Sequence, residues 1–204
     1  LSQQAISAGL QQAIYDHFAK IVKDLDLLVF SDFNYGCLPQ NLVRKIISLA
    51  KKYSVFISAD SQSSSQIGDI SRFKGVQLIT PTEREARIAL QNHDDGLVIL
   101  SEKLMAKAKA DAIILKLGSD GMIAQWKKGL KPSPITEKLE PLNSKPIDVS
   151  GAGDSVLITA SLAMSAGASL WQASLIGNIA AFIQVGRVGN IPISSLELKR
   201  PLSW

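Results

Sequence analysis

The feature that most constrains the fold is a series of short, uninterrupted apolar runs, each closed by polar residues or glycine. A strand with one face in water alternates apolar and polar residues, whereas a continuous apolar run is typical of a strand buried on both faces. The runs are LLVF at 27–30, VFISA at 55–59, VQLI at 76–79 and AIILKL at 112–117. Helical patterns separate them, which predicts an α/β fold with a mostly parallel sheet covered by helices.

The segments between and after these runs have helix and hairpin signals. Apolar spacing predicts helices from Pro39 to about Lys52 and over 97–110, and Thr82 is placed to cap a third helix. Residues 122–126 followed by a basic turn at 127–129 predict a hairpin. Two uncharged helices are expected after Asp154, and a last helical turn near residues 194–195.

Composition limits the class of protein. The 204 residues are 46% hydrophobic and 20% charged, which predicts one globular domain over residues 1–204. The 22 basic and 18 acidic residues are spread out, so nucleic acid is not an expected partner. Polar residues and Gly167 interrupt the uncharged stretch between Asp154 and Arg187, so buried helices are favoured over a membrane span. A single cysteine, Cys37, fits a cytoplasmic, reducing compartment.

The predicted strands end in polar or turn-forming residues, among them Asp32, Asp60, Thr82 and Gly118. Because the carboxyl ends of parallel strands meet at one edge, these residues are expected to form a common rim. Ligands of open α/β sheets bind outside that edge.

The segment DVSGAGDS, from Asp148 to Ser155, carries the strongest chemical signal. Small residues at 150–153 before a helix would present unpaired N–H groups to an anion. Asp154 beside them makes sense as a base that takes a proton from a hydroxyl during phosphoryl transfer. The structural alternative is a capped helix start with glycine packing. Neither the P-loop pattern nor G-x-G-x-x-G is present.

The same segment resembles the C-terminal signature of ribokinase-like (PfkB) carbohydrate kinases, and further segments extend the likeness in order along the chain. Within the family, the sequence most resembles the kinase domain of bifunctional ADP-heptose synthases. The matching segments are SDFNYGCL at 31–38, LITPTEREAR at 78–87, KLGSDG at 116–121 and VGRVG at 185–189.

The resemblance implies an ATP-dependent kinase that uses Mg²⁺ and phosphorylates a sugar or sugar-phosphate hydroxyl. It implies Asp154 as the catalytic base, and Asp32 and Asn34 on the substrate rim. The other implied roles are an anion hole at Gly151, Ala152 and Gly153; nucleotide binding by Lys116, Gly118, Gly121 and Asn178; Mg²⁺ and its waters at Glu85 and Thr82; and K⁺ at Asp148.

Three positions depart from the family pattern. Thr82 stands in place of the asparagine of the N-x-x-E motif, and Tyr35 and Gln62 stand in place of two lysines. The loss of two cations argues against assuming a heptose phosphate as substrate. A kinase for another alcohol, such as a nucleoside, and a catalytically silent or regulatory module of the same fold therefore stay open.

The resemblance places Leu1 near the middle of such a kinase, so the chain is expected to be part of a longer kinase whose sugar-binding lid precedes it. Strand edges exposed by such a truncation would favour self-association, and a homodimer is one assembly that fits this expectation.

Overall fold

A computed structural model describes residues 5–63, 68–127, 134–143 and 145–200. Helices and strands are interspersed through the first two thirds of the chain, and helices alone follow. The helices are α1 (Ala8–Ile21), α2 (Gln40–Lys52), α3 (Glu83–Leu90), α4 (Leu97–Ala108), α5 (Ala152–Ser165), α6 (Leu170–Val185) and α7 (Ser195–Lys199). The strands are β1 (Leu27–Asp32), β2 (Phe56–Ser61), β3 (Leu78–Ile79), β4 (Ala112–Lys116), β5 (Met122–Trp126) and β6 (Ile135–Leu139).

The described strands form one six-stranded sheet in sequence order, β1-β2-β3-β4-β5-β6. Strands β1 to β4 are parallel, and β5 is antiparallel to both β4 and β6. Strand β6 therefore runs in the direction of β4, so β5 alone among these strands is reversed. The predicted mostly parallel α/β sheet is confirmed.

Both faces of the sheet are buried, as the continuous apolar runs predict. Ile113 and Leu115 of β4 belong to one core cluster, and Ala112 and Ile114 belong to the other. Alternate side chains of a strand point to opposite faces, so β4 separates two apolar layers. Helices α1 to α4 pack in the first layer, and α5 and α6 pack in the second.

Most predicted elements occur within a few residues of their expected limits. The hairpin is β5 and β6; of its predicted turn at 127–129, Lys128 and Gly129 lie outside the described residues. Strand β3 is shorter than the predicted 76–79 run because the Gln77 side chain, rather than a backbone carbonyl, accepts a hydrogen bond from the Ile57 amide at 2.9 Å.

The two uncharged helices, α5 and α6, pack against each other and against the sheet. In the described parts of the chain, no helix has the length and apolar character needed to cross a membrane.

Candidate active site

The start of α5 lies where the glycine-rich motif was predicted to open a helix. Gly151 is the N-cap residue with a φ of 75°, a left-handed conformation that favours glycine. A Cβ at Gly151 would also overlap the side chain of Asn190. The first N–H groups of a helix have no partner within it, so this turn offers donors and the positive end of the helix dipole to an anion.

Asp154 lies in the first turn of α5 and is partly exposed. Its Oδ1 accepts a hydrogen bond from Gln62 Nε2 at 3.3 Å. Gln62 directly follows β2, so this contact joins the end of a strand to the start of a helix 92 positions away. In the sequence, Gln62 stands out only as the replacement of a family lysine, and nothing there marks it as a neighbour of the candidate base.

Lys116, the last residue of β4, brings a cation to the start of α5. Its Nζ lies 2.8 Å from Asp60 Oδ2, and both side chains are largely buried. A Cβ placed on Gly153 would lie 3.1 Å from the same Nζ, so the ammonium group faces the α5 turn directly. The absence of a side chain at Gly153 leaves room for this approach.

Asp60 is almost fully buried at the end of β2. Burial raises the pKa of its carboxyl group, Lys116 opposes that shift, and nearby Glu85 adds to it. Among the described residues, Asp60 Oδ1 has no hydrogen-bond partner. The pair of Asp60 and Lys116 therefore leaves one carboxylate oxygen able to accept a further ligand.

Glu85 ties the beginning of α3 to the loop after β2. Its Oε2 accepts from the Thr82 amide at 2.7 Å, and its Oε1 accepts from the Ser63 amide at 3.0 Å. Thr82 Oγ1 accepts from the Glu85 amide in return, which completes a capping box. These two residues, predicted near Mg²⁺, thus also have a structural role. No cluster of three carboxylate, histidine or cysteine side chains suited to a metal occurs within the described ranges.

A cavity of about 510 Å³ lies beside the α5 turn, within the size range of small-molecule sites. Seven of the residues predicted for nucleotide, phosphate or magnesium binding line it: Thr82, Lys116, Gly118, Gly121, Ala152, Gly153 and Asn178. Apolar residues line much of the rest, including Leu142, Val149, Val156 and Phe182.

Two residues that line the cavity, Gly121 and Asn178, pack against the end of β6 and the residue that follows it. Gly121 has a φ of 82°, and a Cβ there would overlap the carbonyl oxygen of Leu139. Asn178 Nδ2 donates to the Glu140 carbonyl at 2.8 Å, so its side chain joins α6 to the end of β6.

The predicted substrate rim lies on the same edge of the sheet. Asp32 forms an ion pair with Arg72 at 2.5 Å, and its other oxygen accepts from the Asn34 amide at 3.0 Å. Asn34 Nδ2 donates to the Gln62 carbonyl at 2.6 Å, and Gln62 contacts Asp154. The rim is thereby linked to the candidate base, with Arg72 as a partner that sequence analysis did not identify.

The Asp148 carboxylate is held by backbone amides of two loops. Its two carboxylate oxygens accept from the amides of Ser150 and Gly189, both at 2.9 Å. These hydrogen bonds hold the pKa of its carboxyl group below 3.8.

The sheet, the helices on both faces and the cavity at the start of α5 define an α/β fold of the ribokinase type. Phosphofructokinase-2 from Escherichia coli, in complex with potassium, superposes with a TM-score of 0.78 at 17% identity over 96% of this chain and 62% of its own. Ribokinase from Arabidopsis thaliana, complexed with ribose and ATP, superposes with a TM-score of 0.73 at 20% identity. This superposition covers 93% of this chain and 59% of the ribokinase chain.

The chain belongs to the pfkB family of carbohydrate kinases, whose family model matches residues 3–196. The bifunctional protein HldE of Desulfatibacillum aliphaticivorans is 32% identical over 98% of this chain and 40% of its own length. HldE of Sulfurimonas denitrificans is 30% identical over 97% of this chain and 40% of its own length. The chain thus spans about 40% of the length of these relatives.

Proposed function

We propose that this chain forms the ATP-binding and phosphoryl-transfer part of a kinase that acts on a sugar or sugar-phosphate hydroxyl. The observation that carries the proposal is the convergence of three groups at one place. The α5 turn and Lys116 line the same cavity, and Asp154 follows the lining residue Gly153 in the first turn of α5. Family membership supports the reaction class.

In the proposed reaction, Asp154 accepts the proton of the acceptor hydroxyl as its oxygen forms a bond to the γ-phosphorus. The bond between that phosphorus and the bridging oxygen of ADP breaks at the same time, and the negative charge passes to ADP. The N–H groups of Gly153 and Asp154 and the positive end of α5 stabilise charge on the transferring group. The hydrogen bond from Gln62 orients the Asp154 carboxylate toward the acceptor.

Lys116 supports the same step from its position beside Gly153. Family lysines are missing at Tyr35 and Gln62, and the Lys116 ammonium group supplies a cation from β4 instead. Asp60 holds Lys116 in place, and the positive charge beside Gly153 is directed at the phosphates. This explains how a chain without the two lysines would retain phosphate binding.

Magnesium fits this site as an ion carried mainly by the phosphates of ATP. Mg²⁺ in such sites keeps several waters and uses one or two protein carboxylates. The unpartnered Oδ1 of Asp60 and the carboxylate of neighbouring Glu85 are the groups that would hold it or its waters, together with Thr82. Bound there, the ion would neutralise charge on the β- and γ-phosphates.

The remaining cavity suits the rest of the nucleotide. Its apolar walls around Val156 and Phe182 would cover a base, and the turn at Gly118 and Gly121 would lie along the ribose and phosphates. Asn178 contributes a polar side chain to the wall formed by α6.

The proposal is tested by coupled measurement of ADP formation with Mg·ATP and a panel of sugars, sugar phosphates and nucleosides, using the complete protein that contains this chain. We expect turnover with a sugar or sugar phosphate, and a rate lower by about 10²–10⁴-fold when Asp154 is asparagine. Turnover with nucleosides alone would show that the acceptor is a nucleoside and not a sugar or sugar phosphate. Binding of Mg·ATP without turnover of any acceptor would favour the silent-module alternative.

A further inference from the structure

The C-terminal end of α6 carries a glutamine that is buried inside the loops of the phosphate-binding turn. Gln184 is 1% exposed. Its Nε2 donates to the carbonyl of Ser150 at 3.0 Å and to that of Gly189 at 2.9 Å. An amide nitrogen has two hydrogens, so both are used to join the loop before α5 to the loop after α6.

The orientation of this amide is fixed from its other side. Gln184 Oε1 accepts from Arg187 Nη2 at 3.2 Å. A guanidinium group only donates, so the oxygen of the amide faces Arg187 and its nitrogen faces the two carbonyls. Glu197 of α7 holds Arg187 in turn through an ion pair of 3.0 Å.

Other polar groups of these loops are also paired within the chain. The carbonyl of Val185 accepts from the amides of Ile147 and Asp148, at 2.7 and 3.3 Å. Both carboxylate oxygens of Asp148 accept from backbone amides, as described above. The carboxylate oxygens of Asp148 and the carbonyl oxygens of Ser150, Val185 and Gly189 therefore already accept hydrogen bonds from N–H groups.

We infer that the side-chain amide of Gln184 takes the place of a monovalent cation in holding the 148–153 and 185–189 loops together. Its two hydrogens carry positive partial charge between the two carbonyls, so they satisfy these oxygens and repel an added cation. The donor set thus does not fit the K⁺ ion expected at Asp148. Because Ser150 directly precedes the anion-hole residues, Gln184 sets the position of the phosphate-binding turn without an ion.

The test is thermal unfolding of the wild-type chain and of Gln184→Ala in KCl, LiCl and choline chloride of equal ionic strength. For the wild type we expect a Tm that differs by less than about 1 °C between KCl and choline chloride. Gln184→Ala leaves two carbonyls without their donor and opens space, so its Tm should fall by roughly 3–8 °C in choline chloride. KCl, and not LiCl, should restore part of that loss.

Gln125→Ala is the matched control. Gln125 is also a buried glutamine, and its Nε2 donates to Thr136 Oγ1 at 2.9 Å, away from these loops. Its loss should lower the Tm equally in all three salts. If Gln184→Ala does not fold, Gln184→Asn keeps an amide that is too short to reach both carbonyls and takes its place.

Two results would overturn the inference. One is a wild-type Tm that rises by several degrees in KCl alone, since a cation would then bind with Gln184 present. The other is a folded Gln184 variant that remains indifferent to KCl, since the freed carbonyls would then not be a cation site. Both readouts are independent of the substrate, so they stand apart from the proposed kinase activity.

Discussion

At the scale of single residues, the start of α5 combines groups of opposite charge in a small space. Asp154 is the candidate base, and the Lys116 ammonium group lies beside Gly153, where it forms an ion pair with Asp60. Because Lys116 is paired with Asp60 rather than with Asp154, the two functional charges do not cancel each other. The candidate base can therefore accept a proton while the cation remains directed at the phosphates.

Replacing Asp154 with asparagine removes the base and keeps the shape of the side chain. We expect the rate of phosphoryl transfer to fall by about 10²–10⁴-fold, with the Tm nearly unchanged. Steady-state kinetics of the complete protein and thermal unfolding check this. Asp111→Asn, an exposed carboxylate before β4 and at the opposite edge of the sheet, is the control and should retain the full rate. An Asp154→Asn variant as fast as the wild type would show that another group takes the proton.

Replacing Lys116 alone would leave Asp60 buried without its partner, which is itself destabilising. The informative variant is therefore Lys116→Met combined with Asp60→Asn, compared with Asp60→Asn alone. We expect the double variant to bind ATP about 10–100-fold more weakly than the single one, the usual loss for a charge-assisted hydrogen bond. Titration calorimetry with ATP measures it. Equal affinities for the two variants would remove Lys116 from the nucleotide site.

At the scale of elements, the helix α3 depends on the reciprocal pair of Thr82 and Glu85. Thr82→Ala removes the side-chain acceptor at the N-cap and should cost about 1 kcal/mol, or roughly 2–4 °C in Tm for a chain of this size. Thr82→Ser retains the hydroxyl group and should lose much less. Thermal unfolding of both variants measures the difference, and equal losses would mean that the methyl group of Thr82, not its hydrogen bond, stabilises the helix.

The elements were predictable from sequence because each depends on local pattern. The run AIILKL has apolar residues for both faces of β4, and Thr82 is followed three residues later by the glutamate of its capping box. The glycine-rich segment before α5 was likewise visible as a helix start. Strand β3 was predicted too long because the Gln77 side chain interrupts its ladder, a contact that no periodicity records.

The contacts that build the site were much less predictable. Lys116 and Asp60 are 56 positions apart, and Gln62 and Asp154 are 92 apart, so only the folded sheet brings them together. Arg72 and Gln184 gave no sequence signal, because a lone arginine or glutamine has many ordinary roles. The charge of Lys116 could be noted from sequence, but its direction toward Gly153 could not.

At the scale of the whole molecule, the chain covers 62% of the Escherichia coli phosphofructokinase-2 chain that it superposes on. We expect the 204-residue chain by itself to bind Mg·ATP weakly and to transfer little phosphate to sugars. Correct positioning of both reactants supplies roughly 7–11 kcal/mol in well-oriented reactions, and much of that would be lost without a complete acceptor site. Calorimetry and a coupled assay on this chain decide the matter. Robust sugar-dependent ADP formation would show that the described residues already hold the acceptor.

The order of the site residues along the chain has an evolutionary consequence. All residues that line the cavity fall between Thr82 and Val185, whereas the rim residues Asp32, Asn34 and Arg72 precede them. Under the proposed roles, a single recombination event near residue 76 would exchange the acceptor rim while the residues that line the cavity are inherited together. Chimaeras of this kind would stay functional only if the pairs of Asp60 with Lys116 and of Gln62 with Asp154, which cross the junction, are matched between the two parents.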